Sequence, residues 1–157
     1  MPKIHIPPHL LARCFEIGRL AYPEEGVAAL SGPADDPGAL TGFHPLENVI
    51  NELHDQDPER YPRTGRDGYV LDPRAYLKLE KSLAAAGEAL RVLVHTHVDV
   101  GAYFSAEDRK QALWNDTPVY PGLIYLVCGV RNGEPDGAVL AWFDEEAGDF
   151  REERLEV

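Results

Sequence analysis

The sequence predicts an α/β fold in which one mixed β-sheet is sandwiched by about three helices. Short apolar stretches rich in branched residues alternate with longer segments in which apolar residues recur at helical spacing. The most apolar stretch, residues 123–130, is typical of a strand at the centre of a sheet. Neither a repeat nor a linker-like composition divides the chain, so residues 1–157 are expected to form a single domain.

The first part of the chain predicts three strands and one helix. Residues 3–6 alternate polar and apolar side chains, which predicts a short strand. Apolar residues at helical spacing follow over residues 9–21 and end before a proline. Residues 23–32 form a strand of small side chains, which allows another backbone or a helix to approach closely. Residues 39–50 contain a third strand.

A long polar segment interrupts this order. Residues 51–68, named the insertion below, are rich in turn formers, and loops of this length in compact domains are usually functional or mobile. Residues 69–71 predict a short strand. Asp72 and Pro73 then provide the cap and the first position of a second helix, which Gly87 closes.

The remaining segments complete the sheet. Residues 90–97 predict a central strand, and a third helix begins after Ser105. The apolar strand at residues 123–130 is followed by an Asn-Gly turn signal. Residues 138–143 predict another strand, with which residues 150–155 are expected to pair.

Charge and composition narrow the classes of partner and compartment. The formal net charge is −12, so nucleic acids and anionic membranes, which both need a basic face, are not expected partners. No apolar run approaches the ~20 residues of a bilayer span and the N-terminus lacks a signal-peptide pattern, which predicts a cytoplasmic protein. Cys14 and Cys128 fit no metal or redox spacing and are expected to be buried thiols.

Two histidines follow the apolar residues of the central strand in the order V-L-V-H-T-H. Because side chains alternate along a strand, His95 and His97 are predicted to point to the same side. Ser105 and Asp108 then form an S-x-x-D pattern at the start of the next helix. Two imidazoles and a carboxylate are ligands that zinc prefers, and three protein ligands leave a position for water, as in catalytic sites.

Each half of this pattern has a second interpretation. Two histidines two residues apart also occur as hydrogen-bonded polar pairs at strand ends. Ser105 and Asp108 also match a helix-capping signal. The combination of H-x-H at a strand end with S-x-x-D at the next helix start is more specific than either half.

The combined pattern resembles that of the JAMM, or MPN-plus, metallopeptidases. Their signature is a glutamate on an early strand, then H-[ST]-H-P, a spacer and S-x-x-D. The element order is similar over nearly the whole chain. The matching residues in this sequence are Glu25, His95, His97, Ser105 and Asp108.

Two positions near the signature need comment. Val98 stands where the family usually has proline, which alters the following loop but removes no ligand. Glu24 precedes Glu25 directly, and the spacing to Gly32 favours Glu25 as the family's glutamate. Alternation along a strand allows one of the two glutamates to reach a metal.

The resemblance implies an MPN, cytidine-deaminase-like architecture and a zinc metallopeptidase. His95, His97 and Asp108 would hold Zn²⁺. Glu25 would accept a proton from water as general base and pass it to the leaving amine, and Ser105 would donate a hydrogen bond to the developing oxyanion. With Asp108 assigned to the metal, its capping interpretation is set aside.

The resemblance also implies a substrate class. Family members hydrolyse peptide or isopeptide bonds after the C-terminal tail of ubiquitin or ubiquitin-like proteins. This chain looks like the small stand-alone bacterial type, whose expected substrates are sulfur-carrier proteins ending in Gly-Gly. The insertion is the expected wall of a groove for that tail, and a homodimer is left open.

Two other functions stay open: a non-catalytic scaffold or interaction module of the same fold, and a zinc hydrolase of a small amide.

Among the other candidate residues, His44 and His54 are interpreted as ordinary histidines outside the ligand pattern. Cys128 is interpreted as core rather than as a nucleophile. Asp99 and Tyr103 are loop residues that either touch substrate or serve the local structure.

Overall fold

The computed structural model describes residues 3–157 and confirms the α/β class. Residues 1 and 2 of the predicted domain lie outside the described residues. The helices within residues 3–157 are α1 (Pro8–Ala21), α2 (Ile50–Gln56), α3 (Pro73–Ala85) and α4 (Ala106–Ala112). The strands are β1 (Val27–Pro33), β2 (Gly42–Leu46), β3 (Glu88–Val98), β4 (Leu113–Trp114), β5 (Thr117–Pro118), β6 (Ile124–Arg131), β7 (Glu134–Asp144) and β8 (Asp149–Leu155).

Six of these strands form one mixed sheet in the order β2-β1-β3-β6-β7-β8, while β4 and β5 form a separate pair. Strands β3 and β6 are parallel, and the other neighbours in the six-stranded sheet are antiparallel. A parallel pair requires a crossover connection, which here contains α4 and the β4–β5 pair. The crossover therefore returns the S-x-x-D motif to the sheet beside the histidine strand.

The two faces of the sheet bury different sets of apolar side chains. On one face, α1 packs against a cluster that includes Val92 and Val94. On the other face, Leu93 packs with aromatic residues such as Tyr69 and Phe104. This alternation along β3 turns His95, two residues after Leu93, toward the face opposite α1.

Both cysteines are buried on the α1 side of the sheet. Cys14 and Cys128 are fully buried free thiols. Burial raises the pKa of Cys14 to about 12 and raises that of Cys128 well above its ordinary value. This position agrees with the expectation of unreactive core thiols.

Three sequence-based expectations need correction. Residues 3–6 pair with no strand; Ile6 instead packs into the α1 cluster, so the alternation reflects burial against a helix. Residues 69–71 also form no strand, because the Val70 N–H donates to the Asn48 side chain at 3.1 Å rather than to a ladder partner. The insertion is not wholly irregular, since it begins within the additional helix α2.

The close backbone approach predicted for residues 23–32 is confirmed at Gly32. A Cβ atom placed there would lie 1.9 Å from the carbonyl oxygen of Ala39. At Gly18, in α1, an added Cβ would lie 2.7 Å from a methyl carbon of Thr96. Within residues 3–157, no helix is both long enough and apolar enough to cross a membrane.

These contacts predict different costs for the same substitution. Gly32→Ala should lower the free energy of unfolding by about 1–3 kcal/mol, because backbone must move to make room. Gly18→Ala should lower the free energy of unfolding by less, because alanine is about 1 kcal/mol more favourable than glycine in a helix interior. Denaturant unfolding of both variants measures the difference, and an equal loss in the two would contradict the backbone-clash explanation.

Candidate metal centre

Two hydrogen bonds between Gly26 and Thr96 set the position of β1 relative to β3 at the site. The Gly26 N–H donates to Thr96 Oγ1 at 2.8 Å, and the Thr96 N–H donates to the Gly26 carbonyl at 3.0 Å. Thr96 stands between the two histidines, and its side chain points to the α1 face. The backbone next to Glu25 is therefore attached to the middle of the H-x-H motif.

The two histidines point the same way and meet through their Nε2 atoms, which lie 3.3 Å apart. Both side chains are buried. The Nδ1–H of His97 donates to the Gly101 carbonyl at 3.1 Å, which orients the ring and directs its Nε2 toward His95 and Asp108. The His95 ring stacks on Tyr69 with centroids 4.4 Å apart, which fixes its plane.

Asp108 approaches both histidines from the first turn of α4. Its Oδ1 lies 3.1 Å from His95 Nε2, and its Oδ2 lies 3.2 Å from His97 Nε2. Burial alone would raise the pKa of Asp108, but the charge of His95 and hydrogen bonds from His95, His97 and Ser105 hold this pKa well below its usual range. The carboxylate is therefore ionised and aimed at the histidine pair.

Asp108 also caps the helix, which corrects the expectation that a position for metal binding excludes capping. Its Oδ2 accepts from the Ser105 N–H at 2.9 Å, and the Asp108 N–H donates to Ser105 Oγ at 3.0 Å. A carboxylate has two oxygens with several acceptor positions, so Oδ2 can close the capping box while Oδ1 faces His95. The capping box thus holds the carboxylate in place.

Glu25 occupies the same cavity from the segment that precedes β1. The side chain is 6% exposed, and its Oε1 has no hydrogen-bond partner among residues 3–157. One ligand atom each of Glu25, His95 and His97 lies within 4.8 Å of the others. Glu24 faces away and accepts a hydrogen bond from Asn51 at 2.5 Å, so Glu25 is the glutamate that reaches the histidines.

Burial, and after it the negative charges of Asp108 and Asp67, raise the pKa of Glu25 to about 9, while Arg63 acts in the opposite direction. Two carboxyl groups in one site thus have pKa values perturbed in opposite directions. Asp108 is anionic over the whole neutral range. Glu25, in the metal-free chain, holds a proton there.

Two concave regions meet at this site. A cavity of about 210 Å³ is lined by Glu25, His97, Ser105 and Asp108 together with Arg63 and Arg66 of the insertion. A groove of about 600 Å³ runs between the insertion and α4 and also reaches Asp108. We call these the site cavity and the insertion groove.

All five residues selected from the sequence therefore come together, and the buried Glu25, His95 and His97 group could hold a metal ion. Imidazole nitrogens and carboxylate oxygens suit zinc and other borderline divalent ions. The unpartnered Glu25 Oε1 fits such an ion, since it is a buried polar atom without a hydrogen-bond partner among residues 3–157. The donor set and the burial therefore agree with a metal centre.

The other candidate residues have local partners. His44 Nε2 lies 2.8 Å from Ser31 Oγ, and His54 Nδ1 lies 2.7 Å from the Tyr61 carbonyl. Asp99 accepts hydrogen bonds from Tyr22 and the Asn132 N–H, both at 2.8 Å, which is a structural role in its turn. Tyr103 packs edge-on against His97 and remains 44% exposed at the mouth of the site cavity.

Several residues at the site had no signal in the sequence. Tyr69, predicted as part of a strand, stacks on His95 instead. Arg63 and Asn48 belong to or border the insertion, and nothing in their local pattern ties them to Glu25. Their roles depend on contacts between segments far apart in the chain.

Comparison with known proteins identifies a family for this chain. The family model described as prokaryotic homologs of the JAB domain matches residues 7–143. An acetylornithine aminotransferase of Streptomyces coelicolor (strain ATCC BAA-471 / A3(2) / M145) is 28% identical over 134 residues, which are 74% of this chain and 31% of that protein. This chain therefore spans about a third of the length of that relative.

Two solution structures share the fold. A protein of Desulfitobacterium hafniense has a TM-score of 0.65 and 21% identity, with 93% of this chain and 86% of that chain covered. A protein of Salinibacter ruber (strain DSM 13855) has a TM-score of 0.58 and 25% identity, with 96% and 88% covered. The resemblance seen in the sequence is confirmed, and the chain belongs to the prokaryotic homologues of the JAB domain.

Proposed function

We propose that this chain is a zinc-dependent peptidase that hydrolyses the bond after the Gly-Gly tail of a ubiquitin-like or sulfur-carrier protein. One observation carries the hydrolase part of the proposal. The Nε2 atoms of His95 and His97 converge with the Asp108 carboxylate, while the buried Glu25 faces the same two nitrogens. Family membership supports it, since JAB-like domains include hydrolases.

His95, His97 and Asp108 would hold the metal. A zinc ion there would supply a water that ionises near neutral pH and a positive charge that polarises the scissile carbonyl. Glu25 would accept the proton of the attacking water and deliver it to the leaving amine. Ser105 Oγ already accepts from the Asp108 N–H, so its own hydrogen is available to donate to the developing oxyanion.

The insertion groove supports an extended polypeptide as substrate. It is lined by Gly68 and Tyr69 on one side, by Lys110 and Gln111 of α4 on the other, and by Asp108 of the site. Glycine residues lack side chains, so the backbone of a Gly-Gly tail can approach the buried metal centre closely. A partner of this type would bind through the groove and present its tail to the site cavity.

Two alternatives use the same fold differently. A scaffold would need neither metal nor Glu25. The family match by itself is compatible with a scaffold. A hydrolase of a small amide would need the site cavity but not the insertion groove. The first two experiments below, on zinc content with cleavage and on the groove, separate these functions.

Zinc content and cleavage should respond differently to two substitutions. Protein supplied with zinc should contain about one ion per chain, and Asp108→Ala should lose most of it together with cleavage of a Gly-Gly-tailed carrier fusion. Glu25→Gln should keep the zinc and lose cleavage by about 100-fold or more, because it removes the proton acceptor. Metal analysis and cleavage assays of the same samples measure both.

His44→Ala is the matched control, since this histidine lies outside the site and should keep both zinc and activity. Loss of zinc in Glu25→Gln, with zinc kept in Asp108→Ala, would show that Glu25 rather than Asp108 completes the ligand set. Full occupancy by zinc without cleavage of any carrier fusion would favour the small-amide or scaffold alternatives.

Filling the groove should discriminate between a protein tail and a small amide. Gln111 is an exposed groove residue on α4, so Gln111→Trp narrows the groove without removing a proposed ligand. KM for a carrier fusion should rise by about tenfold, while zinc content stays constant. Gln111→Ala serves as control. An unchanged KM in the tryptophan variant would contradict the groove as the binding site for the tail.

The proton on Glu25 predicts a pH dependence of stability for the metal-free chain. The folded chain keeps this proton up to a pH of about 9, whereas the ordinary pKa of the carboxyl is 4.5. The unfolded state therefore loses the proton first, and the free energy of unfolding should fall as pH rises between these values. The slope from this group is at most about 1.4 kcal/mol per pH unit.

Glu25→Gln removes this titration. Urea unfolding of the chelator-treated wild type and variant at about pH 5, 7 and 8.5 should show the variant gaining relative stability as pH rises. Parallel curves for the two proteins would show that the Glu25 carboxyl has an ordinary pKa.

A further inference from the structure

Glu25 needs a support outside the sheet. Strand β1 begins at Val27, so the ladder with β2 and β3 holds the chain from that residue onward and leaves the Glu25 peptide groups without a ladder partner. The structure gives both of these groups other partners. They are Gly65 of the insertion and Asn48, three residues before the insertion begins.

We propose that Asn48 and Asn51 are positioning residues that fix the reactive carboxyl group by clamping the Glu25 main chain from its two sides. This inference rests on the proposed function, in which Glu25 transfers the proton. It assigns a role to two side chains that touch neither the histidines nor Asp108.

Asn48 holds the carbonyl side. Its Nδ2 donates to the Glu25 carbonyl at 3.2 Å and to the Gly68 carbonyl at 3.1 Å. Its Oδ1 accepts from the Ile50 N–H at 3.2 Å and the Val70 N–H at 3.1 Å. A side-chain amide has two donor hydrogens and two acceptor positions, so Asn48 uses its full capacity to join four separate peptide groups.

Asn51 holds the amide side through an intermediate residue. Its Oδ1 accepts from the Gly65 N–H at 2.8 Å, and the Gly65 carbonyl accepts from the Glu25 N–H at 2.6 Å. Its Nδ2 holds Glu24 at 2.5 Å, which keeps the neighbouring carboxylate out of the site. A Cβ at Gly65 would lie 2.1 Å from Glu24 Oε2, so the missing side chain leaves room for Glu24 in the position where Asn51 holds it.

Asn48, Asn51 and Gly65, which we call the clamp, connect the substrate-binding groove to the proposed proton acceptor. The same insertion that anchors Glu25 through Gly65 also lines the groove and the site cavity with Arg63 and Asp67. A tail that presses on this wall therefore acts on the segment that sets the position of the proton acceptor. Misplacement of a reacting group by about 1 Å can cost about 100-fold in rate, so a loosened clamp should affect turnover more than binding.

Asn48→Asp is the sharpest test, because it changes two donor hydrogens and hardly any volume. The Oδ1 acceptor for Ile50 and Val70 is kept, while the second oxygen faces the carbonyls of Glu25 and Gly68 without a hydrogen to donate. We expect kcat for a carrier fusion to fall about 10- to 100-fold with KM within about twofold and with unchanged zinc content.

Asn51→Ala is the second variant, on an exposed residue whose loss leaves the core intact. It should lower kcat in the same way. His54→Ala is the matched control: it breaks the tether from His54 Nδ1 to the Tyr61 carbonyl within the insertion but no link to Glu25. Its kcat should equal that of the wild type.

Amide hydrogen exchange provides a readout that needs no substrate. Exchange of the Glu25 N–H should accelerate by about tenfold or more in both asparagine variants, while that of Leu30, in the middle of β1, stays constant. Wild-type kcat and unchanged Glu25 exchange in Asn48→Asp would overturn the proposal, as would an equal loss of kcat in His54→Ala. If the zinc-loaded wild type cleaves no carrier fusion, the proposed function fails, and the exchange result alone then decides the clamp.

Discussion

The attachment of Gly26 to Thr96 is the constraint on which the site depends. These residues exchange two hydrogen bonds, and β1 continues from them in antiparallel register with β3, so that Val27 lies opposite His95. A slip of one residue would turn every side chain of one strand to the opposite face. Glu25 would then leave the histidines, and the apolar faces of β1 would be exchanged. Register, core and site are therefore fixed together.

The two carboxyl groups of the site differ in protonation state, and the surroundings of each group favour its own state. Asp108 receives hydrogen bonds from both histidines and from the Ser105 N–H, so its negative charge is satisfied. Glu25 Oε1 is equally buried without a partner in residues 3–157, which favours the protonated acid. Pairs of titratable groups whose environments separate their pKa values mark the division between an electrostatic role and a proton-transfer role.

The sequence predicts most of the sheet and the five residues at the centre of the site, because those features have local signals. Strand alternation indicates that His95 and His97 share a face, and the S-x-x-D pattern indicates where α4 begins. The roles of these residues remain predictions, although four of them line one cavity and the Nε2 of the fifth, His95, lies 3.3 Å from that of His97.

The features that the sequence does not predict are those that depend on side-chain to backbone contacts over long separations. Residues 69–71 match a strand pattern locally, yet the Asn48 side chain takes the place of a ladder partner. Tyr69 meets His95 because the insertion folds back across the sheet, which no periodicity encodes. Asp108 closes the capping box and also contacts both histidines, because one carboxylate has enough acceptor positions for both. Residue types alone do not predict that both contacts form together.

The location of the two thiols has a consequence for the redox behaviour of the protein. Cys14 and Cys128 lie in the α1 cluster, and the candidate ligands on the opposite face are nitrogen and oxygen donors. A metal bound by such donors has no thiolate that peroxide can oxidise, and the buried thiols hold their protons. A centre built in this way would keep its metal under oxidising conditions that empty cysteine-ligated zinc sites.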